Sequence, residues 1–107
     1  MVSEGAQTTA STGYIDLDLT QVYDPNYGGL LIVMNRDVND STYHTLTIYA
    51  IRLIGTIVTT SSLYTVNGAS GGAAFTVTSP SNGVIRVTNN YASTGSTSSV
   101  FVGLNMR

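Results

Sequence analysis

Gly68-Ala69-Ser70-Gly71-Gly72 spells G-x-S-x-G, the spacing of a nucleophile elbow, where a serine exposed on a sharp turn attacks an acyl carbon. That chemistry needs a base and a helix behind the turn. The one histidine, His44, lies upstream, and Ala73-Ala74-Phe75-Thr76-Val77-Thr78 after the serine has the residue types of a strand. The stretch is read as a glycine-rich loop. Triads occur in several chain orders, so the mismatch counts against an α/β-hydrolase rather than against all hydrolysis. The loop also lacks the Gly-Lys pair of a phosphate-binding loop.

His44 could serve in acid-base or metal chemistry, but a metal needs several converging ligands, and His44 is read as a solvated residue at a strand start. Asp16 and Asp18 sit two apart, which on a strand puts both carboxylates on one face. A solvated outer face accounts for them. The alternative is an interface, or a calcium contact shared with Asp24 or with Asp37 and Asp40. Asn39-Asp40-Ser41 matches a glycosylation sequon and is read as a turn. No catalytic, cofactor or metal residue is assigned, and the chain is expected not to be an enzyme.

Two residue types remain as candidate contacts. Of seven tyrosines, Tyr23 and Tyr27 flank the Asp24-Pro25-Asn26 turn and Tyr91 lies in the last loop, where they could stack on sugar or anchor a protein. The four arginines are scattered at 36, 52, 86 and 107, there is no lysine, and the net charge is -2, so no phosphate-backbone footprint exists and nucleic acid is not an expected partner. Arg52 and Arg86 are candidates for interface contacts.

The elements that must carry these residues are strands. Charged residues are 9% of the chain against roughly 25% in an ordinary soluble domain, so its polar surface must come from its 16 Thr, 12 Ser, 8 Asn and 7 Tyr. Thr and Tyr favour strands; Ser, Asn and Gly favour turns. With 107 residues the chain is one domain. Cysteine is absent, which removes disulfides and thiolate chemistry. No signal peptide is read in the first residues, and no apolar run is long enough to cross a membrane as a helix.

Residues 1–12 are small and polar without periodicity and are expected to form a flexible arm, with a single domain over 13–107. Ile15, Leu17 and Leu19 alternate with the two aspartates. Asp24 to Gly29 is expected to be a loop, Leu30 to Met34 a strand buried on both faces, and Asn35 to Ser41 a loop. In the next strand Leu46, Ile48 and Ala50 share a face; the parity then changes to Ile51 and Leu53, so a bulge near Tyr49 to Ile51 is predicted, turning Arg52 outward. Thr56 to Val66 reads as one or two weak strands, Asn89 to Ser99 as a loop, and Val100 to Met106 as a closing strand. The pattern predicts an all-β fold, an antiparallel β-sandwich or jelly roll of seven to eight short strands.

One hairpin can be registered in advance. An Asn82-Gly83 two-residue loop would place Phe75 and Val77 on the opposite face from Ile85 and Val87. A Ser81-Asn82-Gly83 loop with a left-handed glycine instead pairs Val77 with Val87 and puts all four on one face. Arg86 then lies outward opposite Thr78, either solvated or paired with an acid of a neighbouring subunit.

From Thr12-Gly13-Tyr14-Ile15-Asp16-Leu17-Asp18-Leu19 onward the chain resembles small β-domains of bacteriophage virions. The features that carry the resemblance are the glycine-led apolar strand ending in Arg36-Asp37, the hairpin Phe75 to Asn90, a Ser/Thr loop and a final apolar strand. Such domains are capsid decoration (cement) proteins or tail-fibre tips; the chain is read first as a decoration protein that binds and reinforces the shell, with a receptor-binding fibre or spike tip as the alternative. The resemblance implies a homotrimer on the outer surface of the virion that works by attachment rather than catalysis. A decoration protein would bind the major capsid protein; a fibre tip would bind a host-surface glycan.

Overall fold

The structure, a computed structural model, describes residues 2–19, 26–54 and 56–105. Among them are eight strands: β1 (Val2–Thr9), β2 (Tyr14–Asp18), β3 (Asn26–Asp37), β4 (His44–Ile54), β5 (Thr56–Asn67), β6 (Phe75–Thr78), β7 (Val84–Asn89) and β8 (Gly95–Asn105). They form two antiparallel sheets, a five-stranded one in the order β1-β8-β3-β4-β5 and a three-stranded one in the order β2-β7-β6. The architecture is thus a sandwich of five strands on three, rather than the four on four of a jelly roll.

Alternation along the strands builds the core between the sheets. Ile15 and Leu17 of β2 and Ile85 and Val87 of β7 face Leu31 and Val33 of β3, Ile51 and Leu53 of β4, and Phe101 of β8. Phe101 is fully buried, with its ring over Gly103, which pairs with Gly29 across the β3–β8 ladder. A Cβ at Gly103 would overlap that ring, and one at Gly29 would overlap the Val102 carbonyl.

Above the apolar core, one end of the sandwich is closed by buried amides and hydroxyls. Asn35 Nδ2 donates to Asn89 Oδ1 at 2.8 Å, and Thr97 Oγ1 donates to Asn35 Oδ1 at 2.9 Å. Asn89 Nδ2 in turn reaches the carbonyls of Thr9, Ala10 and Ser93, while its Oδ1 accepts the Tyr91 N–H. The network joins β1, β3, β7 and β8, so both sheets are tied by one satisfied polar cluster.

Several expectations are corrected. Residues 1–12 are not an arm throughout: Val2–Thr9 pairs with β8 over eight registers, because a main-chain ladder orders a polar segment that has no side-chain periodicity. β3 begins at Asn26, within the expected loop, and runs to Asp37. β8 begins at Gly95, so the Ser/Thr run 96–99 is strand, with Thr97 and Ser99 buried. β3, β4, β5 and β8 are 11 or 12 residues long, not short.

β4 carries no bulge against β3. Thr47, Ile51 and Leu53 are buried and Tyr49 packs on the core, so Leu46, Ile48 and Ala50 lie on the outer face. The irregularities belong to β5, where Leu63 and Val58 are extra residues opposite β4. Arg52 does point outward and is exposed.

The hairpin register is as read: Val77 pairs with Val87 and Thr78 with Arg86, and Gly83 has φ 75°. Its closing bond runs from Val84 N–H to the Ser81 carbonyl, so the turn centres on Asn82-Gly83 while the ladder stops at Thr78.

Candidate assembly face

Among the described residues, those that could do chemistry do not form a reacting constellation; Asp24 lies outside them. Ser70 and His44 come to the same corner, since Gly68 N–H donates to the His44 carbonyl and His44 N–H to that of Gly71. Yet the Ser70 hydroxyl is hydrogen-bonded to Thr42 Oγ1 at 2.8 Å, and His44 Nδ1 lies 2.8 Å from the Ser41 carbonyl. Asp40 accepts from the Thr42 hydroxyl and N–H, which hold its pKa below the usual value. No group of three His, Cys, Asp or Glu that could hold a metal occurs among the described residues.

Arg86 meets its acid within the chain. Asp16 is its register partner on β2, and the guanidinium donates to both carboxylate oxygens, Nε at 2.8 Å and a terminal nitrogen at 3.0 Å, while lying 3.7 Å over the Tyr14 ring. The Asp16 hydrogen bond raises the Arg86 pKa. A neighbouring subunit is therefore not needed to explain this arginine. Asp18 is exposed on the same β2 face.

Tyr91 donates its hydroxyl to Asp37 Oδ2 at 3.0 Å and packs near Tyr43, which makes it a loop brace. Tyr23 lies outside the described residues. Tyr27 belongs to β3, and its side chain lies outside what is described.

The feature that stands out is the outer face of the five-stranded sheet. Leu31 and Val33 point to the core, so Leu30, Ile32 and Met34 point away from it, and their cross-strand partners share that face. One row runs Val102, Leu30, Ala50; the next Val100, Ile32, Ile48, Tyr64; the third Ser98, Met34, Leu46, Val66. Leu30, Met34, Tyr64, Val66 and Val102 are exposed, from 36% at Met34 to 59% at Tyr64, whereas Ile32, Leu46, Ile48 and Val100 are half-buried; Leu104, one row beyond Val102, is 76% exposed.

Charge is confined to the borders of this band. Arg52 stands beyond the Leu30 row on β4, Arg36 and His44 lie beyond the Met34 row, and Glu4 sits on β1 opposite Val100. β5 adds a free edge, and its residues 60–67 are exposed on both faces because the three-stranded sheet does not reach them. The apolar run Leu30 to Met34 was legible as a strand buried on both faces; in the single chain it is buried on one.

On the inner side, where β4 and β5 pass beyond β6, lies a cavity of about 410 Å³ lined by Thr45, Thr47, Tyr49, Asn67 and Phe75, among others. Tyr49 and Phe75 meet edge to face at 6.4 Å, and Thr45 Oγ1 donates to Asn67 Oδ1. Burial pushes the Tyr49 phenol pKa up.

No protein-family model matches this sequence, and no curated protein matches it either. Among solved structures, the chain is similar to the tailspike protein of the Acinetobacter phage vB_ApiP_P1, with a TM-score of 0.59 and 14% sequence identity. The match covers 95% of this chain and 21% of the tailspike, so the chain spans about a fifth of that protein's length. What the likeness establishes is the fold: an eight-stranded β-sandwich of a kind that is also present in a phage tailspike.

Proposed function

We propose that this chain is a non-enzymatic structural module of a bacteriophage virion, on the outer surface of the particle, that works as a homotrimer held together by protein contacts. The observation that carries this is the apolar outer face of the five-stranded sheet, which a lone protein in water would not keep bare. The tailspike likeness supports a spike or fibre module over the capsid decoration protein that the sequence pattern also fits. Antibody against the chain, applied to phage particles whose genome encodes it, is expected to label the tail in electron micrographs. Label over the shell would favour the decoration reading, with the major capsid protein as partner, and particles without label would sink both.

Recognition of a host-surface glycan by such a module is supported by the cavity beside β6. Its Tyr49 and Phe75 rings and its Thr and Asn groups combine an apolar surface with short hydrogen-bonding side chains, the mixture a sugar ring presents in return. Glycan-array binding lost in Tyr49→Ala would bear this out; binding unchanged by that substitution would place recognition elsewhere.

A further inference from the structure

We infer that the outer face of the five-stranded sheet is covered by a second copy of this chain, with Glu4 of one copy set against Arg52 of the next. The inference rests on the assembly reading of that face and names its partner. Four strands at about 4.8 Å spacing and six residue steps of about 3.4 Å make the band roughly 400 Å² in plane, before the relief of the side chains is added. That reaches the range in which apolar patches mark interaction sites. It is also about half of the roughly 800 Å² that each partner gives to a stable interface, leaving the polar border to complete it.

The charges indicate which partner fits. The band itself carries none, so an occupant with a charged face would bury unpaired charge. The same face of a second copy meets this requirement, being equally apolar. Glu4 and Arg52 flank the band on different strands, both are exposed, and neither has an ion-pair partner among the described residues. They cannot pair within one chain. Three strand spacings from β1 to β4 and four residue steps from the Ile48 row to Arg52 hold them roughly 20 Å apart. Between copies the opposite signs are complementary and fix the register of association.

The test is light scattering and sedimentation of the purified chain. Wild type is expected at a multiple of its 11.3 kDa mass. Glu4→Arg and Arg52→Glu should each weaken association by about tenfold, and the double exchange should restore it. Leu30→Asp should give a monomer with an unchanged β-sheet circular dichroism spectrum. Wild type that stays at 11.3 kDa at millimolar concentration would overturn the inference, as would a double exchange that restores nothing. A monomer that nevertheless labels the tail would leave the virion reading standing, with another virion protein as the cover. A self-associating chain absent from the particle would do the reverse.

Discussion

Asn89→Ala should be among the most damaging single substitutions in this molecule. Asn89 is fully buried, and its amide is shared among five partners: the Asn35 side chain, the carbonyls of Thr9, Ala10 and Ser93, and the Tyr91 N–H. Truncation removes the three heavy atoms of the amide and leaves several of these groups without a partner. A buried orphan costs about 1–3 kcal/mol, but Asn35 Nδ2 retains longer contacts at 3.3 and 3.4 Å to the Ala74 and Ala73 carbonyls. A loss of about 3 kcal/mol is therefore expected, a large share of the 5–15 kcal/mol typical of a domain. Urea unfolding at fixed protein concentration measures it, the fixed concentration being needed because association adds to apparent stability. The same experiment on Asn35→Ala and on the double variant should give a double loss well short of the sum of the singles, since both act on one network. A loss under about 0.5 kcal/mol for Asn89→Ala, or strict additivity, would refute the view that this cluster ties the two sheets.

Gly83→Ala should cost about 1–2 kcal/mol in the same assay, because φ 75° forces the new Cβ against its own backbone. Arg86→Ala should lower the unfolding midpoint at low salt and lose most of that effect at high salt, as befits an exposed pair with Asp16. Phenolate absorbance on raising pH should show Tyr49 and Tyr91 ionising late, Tyr49 through burial and Tyr91 through burial followed by its hydrogen bond to Asp37. Both folded-state values lie above the ordinary 10.0, so the stability these phenols contribute is complete below 10.0 and is lost as pH rises through it towards the folded values. Asp37→Ala should move Tyr91 back towards the ordinary value and leave Tyr49 in place.

Local patterns with a geometric consequence were legible in the sequence. The Ser81-Asn82-Gly83 turn had one register that gathered Phe75, Val77, Ile85 and Val87, and that register placed Arg86 outward and required a left-handed Gly83. What the pattern could not carry was order imposed from elsewhere. β1 is polar and aperiodic, and it is a strand because β8 offers it a ladder. The parity of β4 is not set by its pattern, because both of its faces hold apolar residues and hydrophobicity alone cannot then say which is the core.

That ambiguity was itself the trace of the candidate face. A sheet of this width with one wet side should alternate cleanly, as β2 and β7 do. Leu30 to Met34 does not alternate, and the exposed half of it, with Val102 and Val66, marks the band on which assembly is proposed. The Asn35–Asn89 network left no comparable trace, since a lone Asn at the end of an apolar strand reads as the start of a loop.

The most direct measurement of the proposed face uses the absence of native cysteine. Glu4→Cys with Arg52→Cys in one chain places two thiols roughly 20 Å apart within each copy, beyond the ~7 Å Cα separation a disulfide can span. If copies meet on the outer face with Glu4 against Arg52, mild oxidation should yield covalent multimers on a non-reducing gel, collapsing to 11.3 kDa on reduction. Neither single variant should form more than a dimer. A double variant that remains at 11.3 kDa under the same oxidation, at concentrations where the wild type associates, would contradict that arrangement.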